Sequence, residues 1–283
     1  MQNPIGIFDS GIGGLTVVKQ LIKLLPDENL IYFGDTARIP YGSKSDRLVQ
    51  QYALEDAYFL MQQDIKLLVV ACNTASSIAL DVLTDQLDIP VVGVVQPGAE
   101  AAARISKNNR VGVIGTTATI NSGAYKRGIQ KLNHQLEVYS QACPLLVPLV
   151  EEGWLDDYVT ILALKKYLHP IMQQQMDTLI LGCTHYPLLE QTIQNVVGPE
   201  VSLIDSGKET AKAVQHILVE HNMLNRRGRL GENQYFVSDI PAKFEEIGSR
   251  FLGQPLTNVQ RINFEEFLIE LGERIPRINE IAS

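Results

Sequence analysis

Leu67-Leu68-Val69-Val70-Ala71-Cys72-Asn73-Thr74 and Thr178-Leu179-Ile180-Leu181-Gly182-Cys183-Thr184-His185 share one plan: a strand-like apolar run, a small residue, a cysteine, then polar residues. Runs this continuous, without alternation, fit strands buried on both faces, as in a parallel sheet covered by helices. Upstream of the first stretch, Ile5 to Phe8 reads as a strand, Leu15 to Leu25 as a helix, Leu30 to Phe33 as a strand and Ser45 to Gln63 as a helix. Downstream, a helix from Thr74 to Leu87 leads to a strand from Val91 to Val95. Near Gln96-Pro97-Gly98 the proline and glycine suggest a hinge. The pattern then restarts, with Val111 to Ile114 ending in Gly115-Thr116-Thr117. Gly6-Ile7-Phe8-Asp9-Ser10 answers Gly112-Val113-Ile114-Gly115-Thr116 at nearly the same offset as the two cysteine stretches answer each other. The chain is therefore expected to be α/β, with an internal repeat of parallel-sheet units. After Leu203 to Ser206 come a helix, a strand from Gln234 to Val237, another helix and a strand-like Val259 to Ile262, expected to pack back on the first half.

Composition narrows the classes. The 283 residues are 45% hydrophobic and 20% charged, enough for a full core and against disorder. The longest apolar runs are far below the ~20 residues that span a bilayer, and MQNPIGIFDSG has no basic region ahead of an apolar one, so neither membrane nor secretion is expected. Three scattered cysteines, Cys72, Cys143 and Cys183, make no disulfide scaffold and fit a reducing, cytoplasmic compartment. A formal charge of −8 would repel a phosphate backbone, and Arg226, Arg227 and Arg229 read as a solvated loop, which argues against a nucleic-acid partner.

In an open parallel sheet, ligands bind beyond the carboxyl ends of the strands, which is where both repeated cysteines fall. A lone cysteine in an apolar run is usually a small buried hydrophobe. Two in matching frames, each followed by polar residues at a helix start, point instead to thiols whose pKa is lowered from ~8.5. A thiolate and a thiol facing each other can remove a proton from one face of a carbon and deliver one to the other face, which is what racemisation requires. Asp9, at the head of the turn Asp9-Ser10-Gly11-Ile12-Gly13-Gly14, could relay a proton near one cysteine, and His185 near the other. Ser10, Asn73, Thr74, Thr116, Thr117, Thr119 and Thr184 offer groups suited to carboxylates and an ammonium, though each also fits a helix cap. Pro40-Tyr41-Gly42, after Gly34-Asp35-Thr36, places a phenol and a bare amide on one face, or makes an ordinary turn.

Other readings fit less of the sequence. The glycine-rich turn holds only part of a dinucleotide fingerprint, since Thr16 replaces the third glycine and Asp9 would face a pyrophosphate. No Walker A lysine follows. A zinc site from Cys72, Cys183 and His185 lacks a closely spaced fourth ligand, so no metal is expected. A thiol acyl-transferase or amidase using Cys183 with His185 leaves Cys72 without a role. A two-lobed binding module explains the repeat but not two polar-flanked cysteines. Cys143, without a repeat partner, reads as structural.

The motifs DSGIGGLTV from Asp9, GDTARIPYG from Gly34, ACNTAS from Ala71, VGVIGT from Val111 and GCTHYPLL from Gly182 together resemble the bacterial glutamate racemases over nearly the whole chain. The resemblance implies interconversion of L- and D-glutamate without a cofactor, for peptidoglycan synthesis in the cytoplasm, by a homodimer. It implies two flavodoxin-like domains related by a pseudo-twofold axis with the active site between them: residues 1–96 plus 208–283, and residues 97–207. Carried over by motif, Cys72 and Cys183 are the catalytic acid/bases, assisted by Asp9 and His185, and substrate contacts fall on Asp9, Ser10, Tyr41, Gly42, Asn73, Thr74, Thr184 and His185. The stretch from Cys143-Pro144 to Glu151-Glu152 is similar to the family's acidic segment near the site. Aspartate and hydantoin racemases share the two-cysteine plan, and a Cys-His acyl-transferase is the rival outside it.

Overall fold

The computed structural model describes residues 3–226 and 228–274. Of the basic triplet, Arg226 and Arg229 are exposed, as a solvated loop requires, while Arg227 lies outside the described residues, as does the end of the expected first-domain segment, 275–283.

Ten strands are described: β1 (Ile5–Asp9), β2 (Leu30–Gly34), β3 (Leu67–Val70), β4 (Val91–Gly93), β5 (Arg110–Gly115), β6 (Glu137–Ala142), β7 (Thr178–Gly182), β8 (Ser202–Asp205), β9 (Asn233–Val237) and β10 (Val259–Arg261). They form two sheets, ordered β10-β9-β2-β1-β3-β4 and β6-β5-β7-β8, and every pairing is parallel. The segment β2-β1-β3-β4 has the same order as β6-β5-β7-β8, so the repeat in the sequence is a repeat of topology. β9 pairs with β2 from Leu30↔Asn233 to Gly34↔Val237, which adds the late strands to the first sheet. At the opposite end of that sheet, Lys66 Nζ lies 2.6 Å from Glu28 Oε2, while the Asn225 N–H donates to Glu28 Oε1 at 2.7 Å; this buried pair fixes the chain as it returns toward β9.

All residues of β1, β2, β3 and β7 are buried, which is why their sequences run apolar without alternation. Ile5, Ile7, Leu67 and Val69 share one core with the helix Leu15–Leu24, and Phe8, Leu68 and Val70 share another with the helix Asp46–Met61. Each such side chain contributes about 1.5–3 kcal/mol through burial. A one-residue slip would turn both sets to the wrong face, so this patterning also fixes where the strands end and which residues reach the site.

Three expectations are corrected. The single helix from Thr74 to Leu87 is two, Asn73–Ile78 and Leu80–Gln86, joined at Ala79. Gln50 Nε2, from the helix Asp46–Met61, donates to the Ile78 carbonyl at 3.2 Å, so a side chain from elsewhere satisfies a carbonyl at the break. The strand from Val91 to Val95 stops at Gly93, and Val95 already opens the helix Val95–Ile105. Gln96-Pro97-Gly98 therefore lies in the first turn of a helix rather than in a loop between the two halves; proline is tolerated there because first-turn N–H groups have no carbonyl to bind. Finally, β6 was not legible: Glu137–Ala142 is a half-buried edge strand with polar residues along it.

Candidate active site

β1 and β3 are neighbours, as are β5 and β7, so the residues after them meet in pairs: Asp9 and Ser10 beside Cys72, Thr116 beside Cys183. All four strand ends face one cavity of about 610 Å³. Ser10, Tyr41, Gly42, Cys72, Asn73, Thr74, Thr116, Thr117, Cys183, Thr184 and His185 line it, with Glu151 and, from the C-terminal segment, Asp239, Lys243, Phe244 and Ile247. Asp9 lies just behind this wall, 1% exposed, its Oδ2 accepting from the Gly11 N–H at 3.0 Å. Thr119 is buried and meets the cavity only through Thr74 and Thr116.

Cys72 is the N-cap of the helix Asn73–Ile78, yet its environment is the reverse of the thiolate-forming one expected. Burial pushes the thiol up to about 12, and the charge of Asp9 adds to that, against the Ser10 hydroxyl and the Ala75 and Ser10 amides. A six-residue helix start cannot offset removal from water. The thiol rests protonated, with Sγ donating to Ser10 Oγ at 3.4 Å. Burial likewise holds the Asp9 carboxyl above the ordinary carboxylate range, with His185 and the Gly14 and Gly11 amides pulling it back. Its Oδ1 has no hydrogen-bond partner among the described residues.

Cys183 is followed by a 3₁₀ turn, Tyr186–Leu189, ahead of the helix Glu190–Val197, so the helix start expected next to it is displaced. Its neighbour is His185: Sγ and Nδ1 are 3.9 Å apart, and on the other side of the ring Nε2 lies 3.0 Å from Glu151 Oε1. Burial opposes charge on this ring, but the hydrogen bonds to Cys183 and Glu151 and their charges outweigh it and raise the imidazole to about 10. At neutral pH His185 is an imidazolium that presents an N–H to the sulfur. Glu151 is held below its ordinary range, first by its hydrogen bond from His185.

This pair has a pH signature. Glu151 adds stability above the usual carboxylate range and loses it as the pH falls through its lowered value; His185 adds stability fully below about 6.5 and loses it as the pH rises through about 10. Glu151→Gln is thus expected to lower the Tm most at about pH 5 to 6.5 and progressively less toward pH 10. Melting curves across this range would show it, and a uniform loss at all pH values would contradict it.

Tyr41 and Gly42 reach the cavity, but the Tyr41 phenol does not face it. Its oxygen lies 2.5 Å from Asp35 Oδ2 and 2.9 Å from Asp56 Oδ2. Arg38 completes this buried knot, with Nε 2.7 Å from Asp35, Nη2 2.8 Å from Asp56, Nη1 on Glu55, and its guanidinium over the Tyr52 and Phe264 rings. Ser238 Oγ donates to Asp35 Oδ1 at 3.0 Å and accepts from the Ala37 N–H at 2.9 Å, so the turn around Pro40 is anchored to the end of β9.

Polar groups from the two sheets also join across the site. The hydroxyls of Thr74, Thr116 and Thr119 lie 3.0 to 3.2 Å from one another. Thr116 also accepts from the Thr119 N–H, so its helix-cap reading and its place on the cavity wall both hold. Tyr125 OH donates to Asn73 Oδ1 at 2.6 Å, which fixes the amide and leaves Nδ2, buried and without a partner among the described residues, as a free donor. Tyr125→Phe removes that constraint and one buried hydrogen bond of about 1 kcal/mol. The expected result is a KM raised about fivefold with kcat changed less, read from initial rates; an unchanged KM would contradict it.

The glycine-rich turn is filled from the other sheet. Thr16 Oγ1 donates to the Thr184 carbonyl at 2.9 Å, and a Cβ on Gly13 would collide with the Thr184 and His185 side chains. A pyrophosphate has no space there. No group of three or more His, Cys, Asp or Glu among the described residues is arranged to hold a metal.

The family model for Asp/Glu/hydantoin racemase matches residues 5–214, from the start of β1 into the helix after β8. The chain belongs to this family. A glutamate racemase from Geobacter metallireducens is 54% identical over 92% of this chain and 97% of its own. The crystal structure of a glutamate racemase from Bacillus anthracis superposes with a TM-score of 0.89 at 41% identity, covering 92% of this chain and 97% of that one. One from Francisella tularensis, in complex with D-glutamate, gives 0.88 at 41% identity over 94% and 99%. The enzyme is an isomerase of amino acids, and its two-sheet α/β fold is that of glutamate racemases. No described helix is long and apolar enough to cross a membrane.

Within this family member, one contributor was reached only by resemblance and one escaped the sequence reading. Glu151 lay in a segment flagged only by resemblance, because nothing in its spacing from His185 announces their contact. Tyr125 sits on an amphipathic helix, where a buried tyrosine reads as core. Cys143 is buried with its carbonyl accepting from Tyr186 OH at 2.9 Å, a structural place.

Proposed function

We propose that the enzyme interconverts L- and D-glutamate, without a cofactor, by proton transfer between Cys72 and Cys183 across the substrate α-carbon. The observation that carries this reading is the pair of cysteines at matching strand ends of two like-ordered sheets, both open to one cavity. Their helpers differ. Asp9 stands by Cys72, while His185 and Glu151 stand by Cys183.

In the L-to-D direction, the Cys183 thiolate takes the α-proton while the His185 N–H releases its hold on the sulfur. The C–H electron pair moves into the carboxylate, whose developing charge is met by amides at the starts of the loops after both cysteines, by the Asn73 Nδ2 donor and by the threonine hydroxyls. The Cys72 thiol, already protonated, gives its proton to the opposite face. The product leaves with Cys72 as thiolate and Cys183 as thiol, and the D-to-L direction runs the same steps backward. Asp9, beside Cys72, moderates the proton there.

Glutamate is favoured over aspartate or hydantoins because relatives covering nearly the whole chain at high identity are glutamate racemases. A Cys183-His185 acyl transfer would leave Cys72 idle. D-glutamate would serve peptidoglycan synthesis, in a cytoplasm whose reducing conditions suit three free cysteines. Residues 1–96 with 208–283, and residues 97–207, would form the two domains, and the homodimer implied by the resemblance would be read by sedimentation.

The deciding experiment incubates the protein with L-glutamate in deuterium oxide, following the α-proton by NMR and the optical rotation. Both signals should decay together without added cofactor. Unchanged glutamate from folded protein sinks the assignment; exchange with aspartate or a hydantoin would move only the substrate.

A further inference from the structure

The helix Pro241–Leu252 comes from the C-terminal segment that extends the first sheet, yet its last turn rests on the loop that follows β7 in the second. Phe251, 1% exposed, sets its ring against the His185 imidazole edge-on, centroids 5.1 Å apart and planes at 83°. Arg250 grips the other partner. Its Nη1 donates to the Val150 carbonyl at 3.3 Å and to the Glu151 carbonyl at 3.0 Å. Those carbonyls end the helix Leu146–Glu151, whose six residues are too few to hold their own last turn. Gly153 follows with φ +80°, and a Cβ there would stand 2.9 Å from Arg250 Cζ, so the turn is folded onto the guanidinium. Neither Arg250 nor Phe251 lines the cavity.

We propose that Arg250 and Phe251 are positioning residues for the Cys183 half of the site: Arg250 fixes the backbone that aims Glu151 at His185, and Phe251 fixes the ring that faces Cys183. The inference rests on the racemase reading of the cavity and adds to it a route by which the sheet bearing Cys72 sets the proton handling of the opposite cysteine. The charged and titratable groups facing His185 are Cys183 and Glu151 in direct contact and Asp9 from the end of β1, with Lys243 of the same helix acting on Glu151. Without Arg250 the Glu151 carboxylate swings free, and the ring loses one of its two supports for a proton.

The test titrates the His185 resonances of the full chain labelled with ¹⁵N-histidine, assigned by their loss in His185→Asn, in wild type, Arg250→Met, Arg250→Lys and Glu151→Gln. The pH profiles of kcat and KM for glutamate are measured alongside. Arg250→Met is expected to lower the His185 midpoint in the direction of Glu151→Gln and to move the basic limb of kcat to lower pH. It should reduce kcat by about tenfold or more while KM stays within about twofold, since a misplaced helper costs rate rather than binding. Arg250→Lys, which can still donate to a carbonyl but lacks the planar guanidinium that packs against Gly153, should give a smaller shift in the same sense and recover part of kcat. An Arg250→Met protein with the wild-type His185 midpoint and pH profile overturns the proposal, however its stability changes. If that variant does not fold, an unchanged midpoint in Arg250→Lys does the same. A midpoint that moves as expected in a chain that leaves glutamate untouched supports the positioning role and refutes only the proposed reaction.

Discussion

Changing either Cys72 or Cys183 to serine is expected to lower glutamate racemisation by on the order of 10³-fold or more, with the fold retained. Both side chains are 5% exposed, serine is nearly the same size, and each hydroxyl would find a partner already in place: Ser10 for one, His185 for the other. What serine cannot do is carry the negative charge that a base must hold in the transition state, because an alkoxide is far more basic than a thiolate. The equality of the two losses is the informative part. An acyl-transfer enzyme built on Cys183 would tolerate Cys72→Ser, and a binding module would tolerate both. Rates from chiral chromatography, with circular dichroism to confirm folding, separate these cases; a Cys72→Ser variant within tenfold of wild type would end the two-base reading.

Gly13→Ala should be nearly as damaging although the residue carries no functional group. The added methyl would occupy the place of the Thr184 hydroxyl and the His185 Nδ1 edge. The turn cannot retreat freely, because Thr16 ties it to the Gly13 and Thr184 carbonyls, each at 2.9 Å. The His185 ring must therefore move, and it is held between Phe251 and Glu151. A displacement of about 1 Å in a proton-relaying group costs on the order of 10²-fold in kcat, and the overpacking adds about 1–3 kcal/mol of destabilisation. Steady-state kinetics and a melting curve measure both. An alanine variant with wild-type kcat would mean that His185 does not need its observed place.

The sequence was legible where burial writes a pattern. β1, β2, β3 and β7 run apolar because both their faces are covered, and the structure ends each within a residue or so of the reading. Both cysteines fall just past such strands, so their meeting in one cavity followed from the repeat. β6 lies at an edge and carries Glu137, Tyr139, Ser140 and Gln141, which spell neither a buried strand nor an amphipathic helix. The break at Ala79 depends on Gln50, far away in the chain, and the Gln96-Pro97-Gly98 turn on where a helix begins. The helix-start argument for a lowered thiol failed at Cys72 because spacing shows the neighbouring amides but not the loss of water. Arg250 stayed hidden, and Glu151 was reached only through the resemblance, for a related reason: a contact between a short helix and a distant one leaves no period to read.

The late strands have a consequence for the order in which the molecule can be made. The second sheet draws its four strands from one uninterrupted stretch, β5 to β8, and all of them are available before β9 is made. The first sheet keeps the edge of β2 bare until β9 emerges from the ribosome, and with β9 come Asp239, Lys243, Phe244 and Ile247 for the cavity wall. A nascent chain stopped ahead of Asn233 would already contain both cysteines, yet it would present an open strand edge to its neighbours and a half-walled pocket to its substrate. A complete cavity therefore requires synthesis to have passed β9 and the helix Pro241–Leu252.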